Sequence, residues 1–408
     1  MEVLHRICAG IDVHKASLTA CVRVVEGKSA RHEVREFSTT VRALEELHEW
    51  LREREVQAVV MEATGVYWKP VWHILEADFQ LTLANAGHVK NVPGRKTDVK
   101  DAVWLADLHA HGLIRGSFVP PQPIEELRQL TRTRKQLVRE VGQHTNRLHK
   151  VLEDTNIKIG NVVSDLLGQS GRAILRKLIS GVTEPEELAK EARGRLQQKR
   201  AELVEALRGR VTEHHRFLLK LHLDTLESIE QRIGEVDQRL GRALDPFREA
   251  VQHLESIPGV STITAQVIIA EIGLDMSRFP THRHLLSWAG LCPRSDESAG
   301  KQRSTQIRKG APWLKAVIVQ AAWGATHKKN SYLRAQYWRL KARRGAKKAA
   351  VAVAASILTS AYYLLQRGTT YADLGSEYFS HRNLARTVHR HCRQLEQLGY
   401  KVTLERAA

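Results

Sequence analysis

The first third of the chain alternates short apolar runs with segments whose apolar residues recur at helical spacing. Two of the runs are apolar until they end at an acid, Asp12 or Glu62, and such runs are typical of buried strands. A carboxylate in that position is costly unless something binds it. In chain order the pattern predicts strands over 6–12, 17–25 and 32–38, a helix over 41–52, a strand over 56–62, a helix over 67–75, a strand over 79–83 and a helix over 98–111.

This order of elements is that of a ribonuclease-H-like domain, and we predict such a domain over residues 1–122. The strand that ends at Asp12 is then central, and the strand that ends at Glu62 lies beside it. The conformationally restricted, proline-rich segment Pro120-Pro121-Gln-Pro123 marks the end of the domain. The predicted fold class is therefore α/β in the first domain and all-α in the rest of the chain.

From residue 123 the chain is long, polar and helical. Two segments place their apolar residues on seven-residue lines, which predicts an imperfect coiled-coil seam within a helical region over 123–248. Two such arms predict an antiparallel hairpin or an oligomerisation module, and a monomeric helical bundle is the alternative. We further predict a mainly helical domain over 249–345 and a helical tail over 346–408. In that tail the alanine-rich run 349–365 is expected to be a buried helix, not a membrane span.

Residues 256–273 resemble a helix-hairpin-helix unit. In such a unit the Pro258-Gly259 turn leads into a helix whose N-terminal amides hold a backbone phosphate. A Pro-Gly turn before a helix is also ordinary turn chemistry. The segment therefore predicts a phosphate contact or a simple helix junction.

The charge balance indicates an anionic partner. The chain carries 63 Lys and Arg against 45 Asp and Glu, a net charge of +18 with histidine neutral. A surplus of this size is typical of proteins that bind nucleic acid, with a generically basic soluble protein as the alternative. The four cysteines show no Cys-x-x-Cys spacing. This argues against a zinc site or a disulfide framework and predicts a cytoplasmic location.

Four carboxylates are candidates for a metal site. Asp98 and Asp101 stand three residues apart at the start of a predicted helix, so both can point into one space. By itself, such a pair of acids usually caps the helix or interacts favourably with the positive end of the helix dipole. With Asp12 and Glu62, however, four acids converge from three elements, and two divalent cations about 3.5–4 Å apart need several shared carboxylate oxygens. Magnesium, which prefers carboxylate, water and phosphate oxygens, fits this set.

A loop in the last third combines hydroxyls with cations. It places Ser295, Ser298 and Ser304 among basic side chains. A serine becomes a nucleophile when a base or metal takes its proton and cations stabilise the phosphate it attacks; the alternative is that these hydroxyls only donate to phosphate. Aromatic residues also interleave with cations over 328–348, which suits nucleic-acid backbone and unstacked bases. The residues predicted to contact nucleic acid are Arg128, Arg132, Lys135, Arg139, Arg294, Lys301, Arg303, Arg308, Lys309, Arg343 and Arg344.

Five motifs together resemble the insertion-sequence-110 (IS110) family of transposases, in the family's order and over nearly the whole chain. They are Gly10-Ile-Asp12-Val-His-Lys15, Met61-Glu62-Ala-Thr-Gly65, Lys96-Thr-Asp98 with Asp101-Ala102, Ile257-Pro-Gly259, and Gly290-Leu-Cys-Pro293 through Gly310. The resemblance implies a RuvC-like domain, a coiled-coil linker and a C-terminal transposase domain with a catalytic serine. It also implies a catalytic Asp-Glu-Asp-Asp tetrad that binds Mg²⁺ or Mn²⁺ and consists of Asp12, Glu62, Asp98 and Asp101.

The family serine follows the Gly-Leu-x-Pro turn in a Ser-Gly context, and Ser298 matches best by count. This chain has Glu-Ser-Ala-Gly there instead of Ser-Ser-Gly, so Ser295 and Ser304 remain alternatives. The resemblance implies DNA strand exchange through a phosphoserine, by a homodimer or homotetramer in a prokaryotic cytoplasm. It also implies a non-coding bridge RNA that pairs with donor and target DNA. The alternatives are a Holliday-junction nuclease that uses water as the nucleophile and a catalytically inactive nucleic-acid scaffold.

Overall fold

The computed structural model describes residues 3–26, 29–62, 65–85, 89, 101–114, 116–293, 296–298, 301–304, 306–382 and 384–405. Three of the predicted site residues, Asp98, Arg294 and Ser295, lie outside these ranges. The chain divides into unit 1 (Met1–Val119) and unit 2 (Pro120–Ala408). The boundaries predicted at residues 248 and 345 would divide unit 2 further and stay predictions.

Unit 1 is an α/β unit. Its strands form one mixed sheet in the order β3-β2-β1-β4-β5, in which β1 is antiparallel to β2 and parallel to β4. The strand that carries Asp12 is therefore central and the strand that ends at Glu62 lies beside it, as the sequence predicts. The ribonuclease-H-like assignment stays a prediction. The described elements are β1 (Ile7–Val13), β2 (Ser17–Glu26), β3 (Ser29–Ser38), α1 (Val41–Glu53), β4 (Ala58–Glu62), α2 (Trp68–Leu75), β5 (Gln80–Ala84) and α3 (Asp101–Ala110).

Strand alternation divides the sheet of unit 1 into two faces. Ala9, Ile11 and Val13 of β1 pack in an apolar core with Leu44 and Leu47 of α1. The even-numbered positions of β1 point to the opposite face, because successive residues of a strand alternate. Helix α3 covers that face, and this arrangement decides which side chains share a surface with Asp12.

Unit 2 is almost entirely helical. Its one described strand pair is the hairpin of β6 (Asp296–Ser298) and β7 (Lys301–Ser304). The described α-helices are α4 (Gln122–Asp154), α5 (Gln169–Ile179), α6 (Pro185–Ala189), α7 (Arg200–Ala206), α8 (Glu213–Ala243), α9 (Arg248–Glu255), α10 (Thr262–Ile272), α11 (His282–Ala289), α12 (Pro312–Ala325), α13 (Tyr332–Arg344), α14 (Ala346–Arg367), α15 (Tyr378–Arg382) and α16 (Leu384–Gln397). Short 3₁₀ turns lie at Ile159–Asn161, Gly194–Lys199, Asp245–Phe247 and Met276–Arg278.

Helices α4 and α8 form the antiparallel hairpin that the heptads predict as one alternative. Arg134 of α4 pairs with Asp237 near the end of α8, whereas Asp154 at the end of α4 pairs with His215 near the start of α8. The two helices therefore run in opposite directions along most of their length. Whether they also serve oligomerisation stays a prediction.

Each end of this hairpin enters a separate apolar core. The proximal core contains Leu127 of α4 and Leu240 of α8, together with α9 to α14. The distal core contains Leu148 of α4 and Leu219 of α8, together with α5 to α7. The two long helices thus connect two packing centres within unit 2.

Helix α14 lies in the proximal core. Among the described helices it is the one long and apolar enough to cross a membrane, and half of its apolar stretch is buried inside unit 2. Val353, Ala354, Ile357 and Leu358 are completely buried in the proximal core. The alanine-rich run is therefore a buried helix, as predicted.

Candidate active site and nucleic-acid surfaces

Asp12 lies near the end of the central strand on the face that α3 covers. Like Cys8 and Gly10, it is an even-numbered residue of β1 and therefore points to the same face of the sheet. Its side chain is 17% exposed. His14 Nε2 lies 3.2 Å from Asp12 Oδ2, and this imidazole is well exposed. The carboxylate is thus recessed and still accessible to a ligand from solvent.

Gly10 lets α3 pack directly on the backbone of β1. A Cβ atom at this position would lie 2.3 Å from the carbonyl oxygen of Ala102 and 2.5 Å from the nitrogen of Ala106. Only a residue without a side chain fits so close an approach. The first turn of α3, which begins at Asp101, is thereby held two residues from Asp12 along β1.

Glu62 lies beside Asp12 on the neighbouring parallel strand. The register pairs Ile11 with Met61, and Asp12 and Glu62 are the next residue of each strand. Val60, two residues earlier on β4, packs with Leu105 of α3, so alternation puts Glu62 on the same face. Neighbouring strands are about 4.8 Å apart, which brings these two acids to one edge of the sheet.

The other two predicted carboxylates are not both described. Asp101 is the first residue of α3 and is exposed, and Asp98 lies outside the described residues. Within the described part of the chain, no three side chains of His, Cys, Asp or Glu form a group that could hold a metal ion. The oxygen donors of Asp12, Glu62 and Asp101 fit a hard divalent cation in their chemistry. The convergence of all four stays a prediction.

An ion-paired network that the sequence analysis missed holds α3 on the sheet. Asp107 of α3 accepts a hydrogen bond from Arg23 Nε of β2 at 2.8 Å, and His32 Nε2 of β3 lies 3.0 Å from the same oxygen. The Arg23 side chain is only 6% exposed. One signal was present, because Arg23 interrupts an otherwise apolar stretch of β2, but its partner stands 84 residues away.

Two thiols under α3, Cys8 and Cys21, and one imidazole on α3, His109, are buried and uncharged. Burial raises the pKa of the Cys8 thiol to about 11 and that of Cys21 to about 12. Burial also lowers the pKa of His109 to about 4. These groups therefore pack as neutral side chains near pH 7, and the charged chemistry of this face belongs to the carboxylates and Arg23.

Two of the predicted nucleic-acid contacts are engaged within unit 2. Arg128 donates from Nε and Nη2 to the carbonyl oxygens of Ala270 and Glu271, at 3.1 and 2.6 Å. Arg132 forms a bidentate pair with the carboxylate of Glu271, at 2.8 and 2.9 Å, and this carboxylate is 1% exposed. The sequence analysis predicts both arginines as surface contacts to nucleic acid. For Arg128 a surface position is corrected, because its guanidinium caps the C-terminal end of α10 and joins it to α4.

The remaining predicted cations are distributed over several elements. Arg139 is exposed and Lys135 half-buried on α4, and Arg343 and Arg344 are exposed in the last turn of α13. Arg308 and Lys309 are exposed beyond β7. The side chains of Lys301 and Arg303 lie outside the described atoms. Lys315 of α12 donates to the carbonyl oxygens of Arg308 and Lys309, which fixes the backbone under these two cations.

The predicted nucleophile lies in the β6–β7 hairpin. Ser298 ends β6 and pairs with Lys301 of β7, but its side chain is outside the described atoms, as is Ser295 altogether. The hydroxyl of Ser304 accepts a hydrogen bond from the backbone nitrogen of Gln306 at 3.2 Å. The choice among the three serines stays a prediction.

The loop that contains the hairpin is closed at its base by two glycines. Gly290 and Gly310 both have positive φ, of 73° and 53°. A Cβ on Gly310 would lie 2.4 Å from the nitrogen of Gly290, so the two backbones touch there. The loop is thus presented from a fixed neck between α11 and α12.

The Pro258-Gly259 turn joins α9 to α10 as the helix-hairpin-helix prediction requires. Gly259 has φ of +86°, and a Cβ there would lie 2.2 Å from the carbonyl oxygen of Ala321. Ser261 caps α10 by accepting a hydrogen bond from the nitrogen of Thr264. The turn is packed on α12, and phosphate binding by it stays a prediction.

Two family models match the chain. Residues 9–157 match a transposase family, the DEDD transposases of IS110. Residues 251–338 match the transposase family IS116/IS110/IS902. Together the matches span more than half of the chain. The first covers the four predicted carboxylates and the second covers the three candidate serines.

Insertion-element proteins of three bacteria are similar to the chain over much of its length. The transposase for insertion sequence element IS1111A of Coxiella burnetii is 27% identical over 327 residues, which are 78% of this chain and 80% of the relative. The transposase for insertion sequence element IS1328 of Yersinia enterocolitica is 26% identical over 61% of this chain and 65% of the relative. An IS110 uncharacterized 43.6 kDa protein of Streptomyces coelicolor is 28% identical over 50% of this chain and 55% of the relative.

Proposed function

We propose, for a chain that belongs to the IS110 family of transposases, that unit 1 supplies a divalent-metal site and unit 2 the nucleophile for DNA strand cleavage and exchange. A transposase recombines DNA, so DNA is the substrate. The net charge of +18 suits this polyanionic partner.

The adjacency of Asp12 and Glu62 carries the proposal. Glu62 ends β4 and Asp12 is the next-to-last residue of the neighbouring parallel strand β1, both on the face that α3 covers, and Gly10 holds the start of α3 close to them. Two carboxylates at one edge repel each other unless a cation or a proton lies between them. A divalent cation, Mg²⁺ or Mn²⁺, would supply electrostatic stabilisation of phosphate charge at this edge when bound. Asp101 and Asp98 are proposed to complete the tetrad.

Ser298 is the proposed nucleophile. Its Oγ forms a bond to phosphorus and gives up its proton to a base, while the bond from phosphorus to one DNA oxygen breaks and leaves a hydroxyl end. The cut strand is then held as a phosphoserine diester. A hydroxyl end of the new strand reverses the step and releases the serine, so no external energy is needed. Arg308 and Lys309 are exposed on the same loop and suit stabilisation of the phosphate.

The choice of DNA sequence is proposed to reside in a bridge RNA. Family membership supports this, and a protein guided in this way contacts backbone and duplex shape more than base edges. We also propose a homodimer or homotetramer, because one exchange joins several strand ends and each chain brings one nucleophilic serine.

The test uses the full chain bound to its native RNA, with Mg²⁺ and DNA that spans the ends of the element. We expect a denaturation-resistant protein–DNA adduct, attached at Ser298 when mapped by peptide mass spectrometry. Asp12→Asn and Glu62→Gln should abolish the adduct while the circular dichroism spectrum and RNA binding stay unchanged. Asp78→Asn is the matched control, since Asp78 is a carboxylate of unit 1 that contacts His48 instead.

Three outcomes would change the proposal. Metal-dependent cleavage without an adduct would replace it with a nuclease that uses water. An adduct on Ser295 or Ser304 would keep the mechanism and move the nucleophile. Full adduct formation by Asp12→Asn would remove the carboxylates from catalysis.

A further inference from the structure

Unit 2 contains a cavity of about 450 Å³ between α4, α10 and α12. Its walls are largely apolar and include Val138, Ile263, Val267, Trp313 and Val317. Val138 and Ile263 are exposed, at 42% and 47%, although both are apolar. The volume lies in the range of about 300–1,000 Å³ that is usual for pockets that bind small ligands.

One wall of the cavity is a fixed platform of Arg132 and Trp313. The Arg132 guanidinium lies 5.6 Å from the centre of the Trp313 ring. The buried carboxylate of Glu271 binds Arg132 through Nε and Nη2, which holds the guanidinium plane in place. The Nη1 group is outside this pair, so it remains available to an anion. A flat aromatic or heteroaromatic group is the natural partner for such a platform.

The lining of the cavity includes three cationic side chains, Arg132, Arg134 and Lys135. Arg134 lines it but is paired with Asp237 of α8, and Arg132 is paired with Glu271. Lys135 lines it as well, and among the described residues this ammonium has no carboxylate partner. The uncompensated charge favours an anionic ligand beside an apolar interior.

Two side-chain amides add hydrogen-bonding groups to the apolar walls. Gln266 of α10 and Gln320 of α12 both line the cavity. In the part of the chain that the structure describes, neither amide makes a side-chain hydrogen bond within the protein. A glutamine presents one donor and one acceptor side by side, which matches the edge of a nucleobase.

We propose that this cavity binds one unstacked nucleotide of a DNA or RNA strand, with the base against Trp313 and its phosphate at Lys135. Apolar walls, an aromatic ring, two side-chain amides and an uncompensated cation are jointly the chemistry that recognises a nucleotide. A buried apolar side chain of a partner protein would use the walls but leave the amides and Lys135 without a role. The proposal rests on the family's action on nucleic acid, and it does not depend on the tetrad or on the serine.

Photo-crosslinking tests the position of the base. The full chain is irradiated in EDTA with single strands of about 12 nucleotides, a length within the usual site sizes for single strands. One strand is DNA with a central 5-iododeoxyuridine and the other is RNA with a central 5-iodouridine. We expect a crosslink at Trp313 with at least one strand, and the strand that reacts identifies the source. Crosslinks that map elsewhere with both strands would overturn the proposal.

Affinity measurements by fluorescence anisotropy supply the second readout. Trp313→Leu keeps an apolar side chain and should weaken binding of the reactive strand about 5- to 150-fold, the equivalent of the 1–3 kcal/mol that base–aromatic stacking contributes. An abasic site at the central position should abolish the difference between the variant and the parent. Trp323→Leu is the matched control on α12, because Trp323 is 41% exposed and does not line the cavity. It should change the affinity less than about twofold.

Lys135→Gln is a second variant, which tests the proposal even where Trp313→Leu has a folding defect. This half-buried lysine supports no ion pair among the described residues, so its loss should leave the fold intact. We expect a lower affinity and a salt dependence reduced by about one counterion. Unchanged affinity in both variants would overturn the proposal. So would a Trp313→Leu chain that binds the strands normally but changes its oligomeric state, since the cavity would then take a partner protein. These measurements contain no divalent metal, so a failure of the proposed metal-dependent catalysis would produce neither the unchanged affinity nor the changed oligomeric state.

Discussion

Substituting Gly10 by alanine tests whether the approach of α3 to the central strand positions the active site. The new Cβ would lie 2.3 Å from a backbone oxygen and 2.5 Å from a backbone nitrogen of α3. Real Cβ contacts are essentially never under 3.0 Å, so α3 must move by roughly 0.7–1 Å. Helix backbone has no flexible end that can give way, and the whole first turn therefore moves with Asp101.

The cost follows from two opposing effects. Overpacking a close contact costs about 1–3 kcal/mol, and removing a glycine from the unfolded chain returns about 0.4–1 kcal/mol. We expect a net loss of about 1–2 kcal/mol in the free energy of unfolding. Activity should fall far more, because a displacement of about 1 Å at a catalytic site can cost on the order of 100-fold in rate.

The assay compares urea unfolding and adduct formation for Gly10→Ala and a control. Gly116→Ala is that control, since its Cβ would meet Thr82 Cγ2 at an ordinary 3.5 Å. The control should keep parental stability and rate. If Gly10→Ala also forms the adduct at the parental rate, α3 does not position a catalytic group and the reasoning is refuted.

Three further predictions concern buried polar groups. Glu271→Ala should lower the free energy of unfolding by about 1.5–3 kcal/mol in urea titrations, because it removes the bidentate partner of Arg132 and the carboxylate beside the largely buried Arg128. Asp237→Ala, at a more exposed pair, should cost less than about 1 kcal/mol, and equal costs would contradict the buried role of Glu271. Burial lowers the pKa of His109 from the usual 6.5 of an exposed imidazole to about 4 in the folded chain. The unfolded chain therefore binds the extra proton between these values, and stability should fall by about 3 kcal/mol as pH drops from 6.5 to 4. His109→Gln should flatten that part of the pH profile, and an unchanged profile would assign the effect to other groups. Burial raises the pKa of Cys8 to about 11 and that of Cys21 to about 12. Both thiols should therefore react with iodoacetamide at pH 8 at least about 100-fold more slowly than a free thiol, as followed by mass spectrometry. Rapid labelling of the folded chain would show instead that they are accessible.

Much of unit 1 follows from sequence periodicity. The strand predicted over 17–25 is observed as Ser17–Glu26, and the helix predicted over 98–111 is described as Asp101–Ala110. Both elements are mainly apolar segments bounded by polar residues, and β2 is buried on both faces, so the apolar runs carry the information. The placement of Asp12 beside Glu62 was predictable for the same reason, since each stands at or next to the end of a buried strand.

Side-chain pairs between distant elements were not predictable in this way. Asp107 meets Arg23 across 84 residues, and Arg128 meets Glu271 across 143. Heptad spacing on α4 identifies the seam with α8, but it does not show that α10 covers another part of the helix. The sequence analysis therefore interpreted Arg128 as a surface cation. The β6–β7 hairpin was also missed, because its strands are short and polar and carry no alternation.

Helices α4 and α8 run without a break through both cores of unit 2, and their length sets the distance between the two cores. Leu127 lies in the proximal core and Leu148 in the distal core, and 21 residues of helix at 1.5 Å each span about 32 Å. The two cores of unit 2 are therefore held at a separation that the length of the helices sets.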